Sequence, residues 1–222
     1  MGIGIYDLYH RWQPGFRARR RKLLNAWVKR TGTRSILDLG GNVYDWQELP
    51  EGVRVTVLNV APNLAVEYDR ERITYAQGDG RALAFADASF DLVYSNSVIE
   101  HLRVWEDQAR FAREARRVGR SVFVQTPNRW FPVEPHFLAP FFHFLPKRFQ
   151  RVFLPRFSLR ALLRRGDDAD LGQLFRELRL LSAGELQALF PECEIVRERL
   201  FGLTKSLIAT GPPGRLAPAQ GA

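Results

Sequence analysis

The run ILDLGGNVYDW, Ile36 to Trp46, carries a carboxylate, Asp38, near the end of an apolar stretch and then opens into two adjacent glycines, Gly40 and Gly41. A chain that turns through glycine lets its backbone approach a ligand with no Cβ in the way. The same spacing also describes a plain strand followed by a turn, and the glycine pair alone does not decide between them. A second acid, Asp79, stands in Gly78-Asp79-Gly80, where it is either a turn aspartate or an acceptor for a ligand's N–H. Asp91 precedes an apolar run and reads as a local cap or pairing residue. The four histidines are scattered with no HxxxH pair, and the single cysteine, Cys193, excludes an intramolecular disulfide and a cysteine-rich metal site.

The elements that must position these residues follow from periodicity. SILDL (35–39), RVTVLNV (54–60), ITYAQ (73–77), FDLVYSN (90–96) and SVFVQ (121–125) read as strands, several of them continuous apolar runs of the kind buried on both faces of a parallel sheet. Phe111, Ala115 and Val118 recur at helical spacing between 106 and 118, with Gly119 as the stop. Ser182 and Glu185 form a capping box ahead of Leu186, Leu189 and Phe190, and 194–200 and 204–210 make a final strand pair around Phe201-Gly202-Leu203. The class is α/β: a doubly wound, Rossmann-like, mostly parallel seven-stranded sheet with a C-terminal antiparallel hairpin. Ligands of such sheets bind beyond the carboxyl ends of the strands.

The net charge of +9 is unevenly placed. Residues 1–35, read as a basic helical segment, carry +8, and 128–165 carry +7, while 36–127 and 166–222 are mildly acidic at −4 and −2. Two basic segments point to a shared anionic partner, although solvated surface accounts for any single arginine. The N-terminus lacks the apolar core of a secretory signal, and Tyr6 breaks the myristoylation pattern. With one cysteine, the expected compartment is the cytoplasm. Residues 128–181, rich in Phe, Pro and Arg, interrupt the β/α rhythm as an insertion or lid, and its proline-broken runs are too short to span a bilayer. The tail 212–222 reads as disordered.

Residues 36–127 resemble the class I S-adenosylmethionine-dependent methyltransferases, in particular the branch of small methyltransferases with Glu-His-Leu after the fourth strand. The match is densest over GDGRALAFADASFDLVYSNSVIEHL, Gly78 to Leu102, and extends loosely over 182–210. The resemblance implies S-adenosylmethionine as cofactor, with Asp38, Gly40 and Gly41 in the loop at its methionyl end. It places Asp79 and the Gly80 N–H on the adenine, Ser95 and Asn96 beside the sulfonium, and His101 near the acceptor. Two positions depart from the pattern. Asn42 stands where a further glycine is usual, and Asn59 replaces the acid that grips the ribose hydroxyls, keeping hydrogen bonds but losing charge assistance.

Methyl transfer needs in-line alignment, and a hydroxyl or amine acceptor must also lose a proton. His101 is the first candidate base, followed by His136 and Glu134. A basic N-terminal segment and an aromatic, cationic insertion bordering the pocket suit a small-molecule or lipid-type anionic acceptor. Phe141, Phe142, Phe144 and Leu145 beside Lys147, Arg148 and Arg151 also suit peripheral contact with the anionic inner face of a membrane, or a second small core. An RNA methyltransferase is the rival enzyme reading, disfavoured because SNSVIEHL is not the Asn/Asp-Pro-Pro-aromatic signature. A noncatalytic scaffold on the same fold is the third reading, supported by Asn42 and Asn59. Oligomeric state is not legible.

Overall fold

The computed structural model describes residues 5–46, 50–60, 68–134, 139–140 and 178–211; His136, the aromatic and basic run 141–151 and the tail 212–222 lie outside them. Helix α1 (Ile5–Thr31) leads into β1 (Ser35–Leu39), β2 (Arg54–Asn59), β3 (Ile73–Gln77) and β4 (Phe90–Asn96). Helix α2 (Trp105–Val118) precedes β5 (Gly119–Pro127) and a small pair, β6 (Val133–Glu134) with β7 (Ala139–Pro140). Helix α3 (Ala183–Leu189), β8 (Glu194–Leu200) and β9 (Leu203–Gly211) complete the described chain.

Seven strands form one sheet in the order β3-β2-β1-β4-β5-β9-β8. Neighbours from β3 through β5 are parallel, β9 runs antiparallel to β5, and β8 runs antiparallel to β9. The expected class is therefore the observed one, with the C-terminal hairpin as the antiparallel element. The strand order reverses between β1 and β4, so the crevice at their carboxyl ends is the position where ligands bind in such sheets.

Alternation along the strands builds two cores. Leu37, Leu39, Val93 and Val124 pack with Phe111 and Ala115 of α2 and Leu186 of α3 on one face. Ile36, Val55, Leu92 and Phe123 pack with Leu24, Trp27 and Val28 of α1 on the other. Because β1 is covered on both sides, Asp38 shares the face of Ile36 and is carried into the α1 core, fully buried.

Three local details refine the sequence reading. α2 stops at Gly119, but this glycine is extended (φ −96°) and opens β5 directly. A Cβ there would lie 2.7 Å from a Val93 methyl, so close packing rather than left-handed backbone selects it. The turn after β1 is a single 3-10 turn over Val43–Trp46, which brings Trp46 back beneath the strand end. Asp91 reaches beyond its own neighbourhood: its carboxylate accepts the N–H groups of Arg34 and Ser35 at 2.9 and 3.0 Å, pinning the start of β1 to β4.

The capping box of α3 is complete. Ser182 Oγ accepts the Glu185 N–H, and the Glu185 carboxylate accepts the Ser182 N–H at 2.8 Å. Ser182→Ala is expected to lower stability by about 1 kcal/mol, read as a lower urea midpoint with an unchanged slope.

Candidate functional site at the carboxyl edge

Asp38 is fully buried. Its Oδ2 accepts the Trp46 indole N–H at 2.6 Å, while Oδ1 is buried with no hydrogen-bond partner among the described residues. Burial raises the carboxyl to about 7, and the indole bond opposes the rise in part. Arg21 lies 5.3 Å over the Trp46 ring, and Tyr94 meets that ring edge-on at 5.3 Å. Burial, followed by the Asp38 charge, raises the Tyr94 phenol as well.

The glycine pair serves this carboxylate. Gly40 takes φ +76°, and a Cβ on it would meet the Val98 methyls at 2.7 Å. A Cβ on Gly41 would fall 1.7 Å from Asp38 Oδ2. The space freed by the missing side chains is therefore filled by Val98 and by Asp38 itself. Asn42 is outside the left-handed region, so the positive φ of the loop rests on Gly40.

The other candidates line the same edge, each with an internal partner. Asn59 donates to the Gly41 carbonyl at 3.2 Å and accepts the Val60 N–H at 2.8 Å, tying the end of β2 to the glycine loop. Asp79 accepts Nε and Nη2 of Arg81 and the Arg81 backbone N–H, and Arg81 continues to Asp107 at 2.7 Å. The Arg81 side-chain hydrogen bonds hold the Asp79 carboxyl below its usual range. Gly80 packs so closely on Phe111 that a Cβ would meet the ring at 2.9 Å. Ser95 is fully buried, and its hydroxyl donates to the Leu39 carbonyl at 2.9 Å, locking β4 to β1.

Asn96 leads to residues that the sequence reading misses. Its Oδ1 accepts Nη1 of Arg20 from α1, and the same nitrogen donates to Gln125 Oε1 at 2.9 Å. Arg20 Nε lies 3.2 Å from Glu198 Oε2, with the two side chains 11% and 2% exposed. Neither Glu198 oxygen has a hydrogen-bond partner among the described residues, so the attraction is that of an ion pair. One arginine thus joins α1 to the carboxyl ends of β4, β5 and β8. Partners 76 and 105 residues apart leave no local signal in a sequence.

Beyond β4, Ser97 adopts φ +57° and donates its hydroxyl to Gln125 at 2.9 Å. A non-glycine residue held in this region marks a constrained turn. His101 follows, half-buried on the 3-10 turn Ile99–His101. That turn is clamped: Gln108 donates to the Ile99 carbonyl, the Arg179 N–H donates to the Glu100 carbonyl, and Thr126 donates to the buried Glu100 carboxylate. His101 is therefore held by β5, α2 and the segment before α3.

Residues 37–121 match a family model described as a methyltransferase domain. Over 79 residues the chain is 42% identical to a Mycobacterium tuberculosis protein named as a probable S-adenosylmethionine-dependent methyltransferase; the match covers 30% of this chain and 28% of that protein. Among solved structures, a Pyrococcus horikoshii protein superposes with a TM-score of 0.53 at 18% identity, covering 88% of this chain and 89% of that one. The methyltransferase domain of bacterial CtHen1 gives 0.52 at 15% identity, over 86% and 96%. At these identities the two structures show the shared fold alone.

Two outcomes follow from the geometry. Between the ordinary carboxyl value of 3.8 and about 7, folded Asp38 keeps a proton that the unfolded chain releases. Its contribution to stability is thus full below the lower value and is lost as pH rises toward the upper one. Asp38→Asn, which keeps an acceptor for Trp46, should gain on wild type across that window by up to about 4 kcal/mol, seen as a growing difference in melting temperature. Arg20→Ala leaves Glu198 buried without its cation and should cost about 3 kcal/mol. Arg20→Met with Glu198→Leu should recover most of that loss in the same thermal melts.

Proposed function

We propose that this chain, whose residues 37–121 form a class I S-adenosylmethionine-dependent methyltransferase domain, transfers a methyl group to a small-molecule or lipid-type acceptor that carries negative charge. The observation carrying the reading is the coincidence of that match with the edge described above. It spans β1 to β4, whose carboxyl ends meet where the strand order reverses.

The residues present fit the cofactor in two respects. Asp79 lies at the end of β3 with its carboxylate 41% exposed, charged, and able to accept a further bond. Asp38 Oδ1, buried beneath the glycine loop at the end of β1 without a hydrogen-bond partner among the described residues, is a polar atom that a bound group would satisfy, as donor when the carboxyl is protonated and as acceptor when it is ionised. S-adenosylmethionine, when bound, supplies the electrophilic methyl carbon. The chain supplies orientation through the β1 and β3 ends, exclusion of water, and a proton acceptor, for which His101 on its clamped turn is our candidate. Asn59 in place of an acid offers amide hydrogen bonds alone, so affinity should be modest.

The preference for an anionic acceptor rests on Arg20 at the ends of β4 and β5 and on the +8 charge of the first 35 residues. Calorimetric titration with S-adenosylmethionine should give micromolar binding to wild type and binding at least tenfold weaker to Asp79→Ala. Folded wild type that takes up no cofactor would overturn the reading and favour a scaffold on this fold.

A further inference from the structure

The turn between β8 and β9 is built against the usual preferences of a hairpin. Phe201 and Gly202 both take positive φ, +50° and +79°. A two-residue turn of this kind is ordinarily filled by Asn-Gly or Asp-Gly, because a bulky side chain there is strained. Here the strained position holds a phenylalanine 78% exposed, followed by Leu203 at 52%. Neither folding nor solubility is served by an exposed aromatic ring at such a site.

The turn also stands at the functional edge. Ser206 of β9 pairs with both Pro127 of β5 and Glu198 of β8, so Phe201 and Leu203 lie beyond the carboxyl end of β5. Asn128, just after β5, bonds the Thr204 and Lys205 carbonyls at 2.8 and 2.9 Å and accepts the Trp130 N–H, so the short segment carrying Trp130 starts beside β9 at this end of the hairpin. Trp130 is 62% exposed, with the Arg129 guanidinium 5.5 Å from its ring. Arg197 and Arg199 are exposed on the strand leading to the tip. Of the β8 acids, Glu198 is buried against Arg20 and Glu194 sits at the opposite end, so the exposed cations beside the apolar tip are Arg197 and Arg199, while Arg129 lies 3.9 Å from Glu185.

We propose that the Phe201-Gly202-Leu203 tip, with Trp130, inserts into an anionic lipid surface and sets the carboxyl edge against it. Aromatic and aliphatic side chains enter the interface while arginines meet the acidic headgroups. The contact is peripheral in kind, made by a turn and its flanking side chains; no helix among the described residues is long and apolar enough to cross a membrane. This narrows the acceptor proposed above to one presented at a lipid surface, and it rests on that reading for the acceptor alone.

The test is co-sedimentation of the full chain with vesicles of phosphatidylglycerol and phosphatidylcholine, compared with phosphatidylcholine alone, beside cofactor titration of the same samples. Wild type should bind the anionic vesicles at least tenfold more tightly, and F201D/L203D should lose at least fivefold while cofactor affinity stays unchanged. Wild type that ignores both vesicle types, or a variant that binds as wild type does, overturns the proposal. So does concentration-dependent self-association in the absence of lipid that the variant abolishes, which would assign the tip to a contact between copies. Loss of cofactor binding with vesicle binding intact would instead count against the methyl-transfer reading.

Discussion

The carboxyl edge depends on one buried group. Asp38 is drawn into the α1 core by the alternation of β1, and only the Trp46 indole and the space at Gly41 make that position tolerable. An isolated carboxylate in such surroundings costs several kcal/mol in its charged form, so it keeps its proton well above the ordinary range. The consequences spread outward. Gly41 cannot carry a side chain, and its carbonyl is left for Asn59. The loop is thereby tied to β2 as well as β1. The 3-10 turn exists because Trp46 has to return within eight residues to reach Asp38.

Arg20 extends this order across the sheet. By contacting Asn96, Gln125 and Glu198 it binds α1 to three strand ends, those of the adjacent β4 and β5 and that of β8, which the hairpin places on the far side of β9. A buried ion pair of this kind contributes little net stability compared with an apolar pair. Its effect is to fix where α1 crosses the edge, and with it the Phe16 ring, which lies 3.8 Å from the Lys205 ammonium. The N-terminal helix and the C-terminal hairpin are thus joined at the carboxyl edge by Arg20 and by Phe16 against Lys205.

Much of the scaffold was legible because strands buried on both faces write themselves as apolar runs. β1, β3, β4 and β8 have the bounds that their sequences imply, and the Ser182–Glu185 capping box is a local signal met in full. The site was legible in position more than in bonding. Asp79 and Asn59 stand at the strand ends where the pattern puts them, but Arg81, two residues on, and Gly41, across the loop, are partners that no strand pattern encodes. That the space beside Gly40 and Gly41 goes to Val98 and Asp38 depends on tertiary packing that the glycine pair does not encode. Arg20 and Glu198 were invisible for a plainer reason: their pairing depends on tertiary placement across most of the chain.

The described edge is one in which most polar side chains have already found partners. Asn59, Asp79, Ser95 and Asn96 each hold an internal bond. A ligand arriving there exchanges bonds instead of satisfying vacant ones, and an exchange of one hydrogen bond for another yields only about 1 kcal/mol either way. Favourable binding would then draw on the atoms left without hydrogen bonds among the described residues, Asp38 Oδ1 and the Glu198 oxygens, and on apolar surface removed from water. The same accounting applies to the acceptor. If Arg20 is to meet an anion, it must release Asn96 or Gln125, and Glu198 remains beside it to hold the charge in place. An anionic group would compensate the displaced arginine contacts better than a neutral one, which is the physical content of the acceptor proposed above.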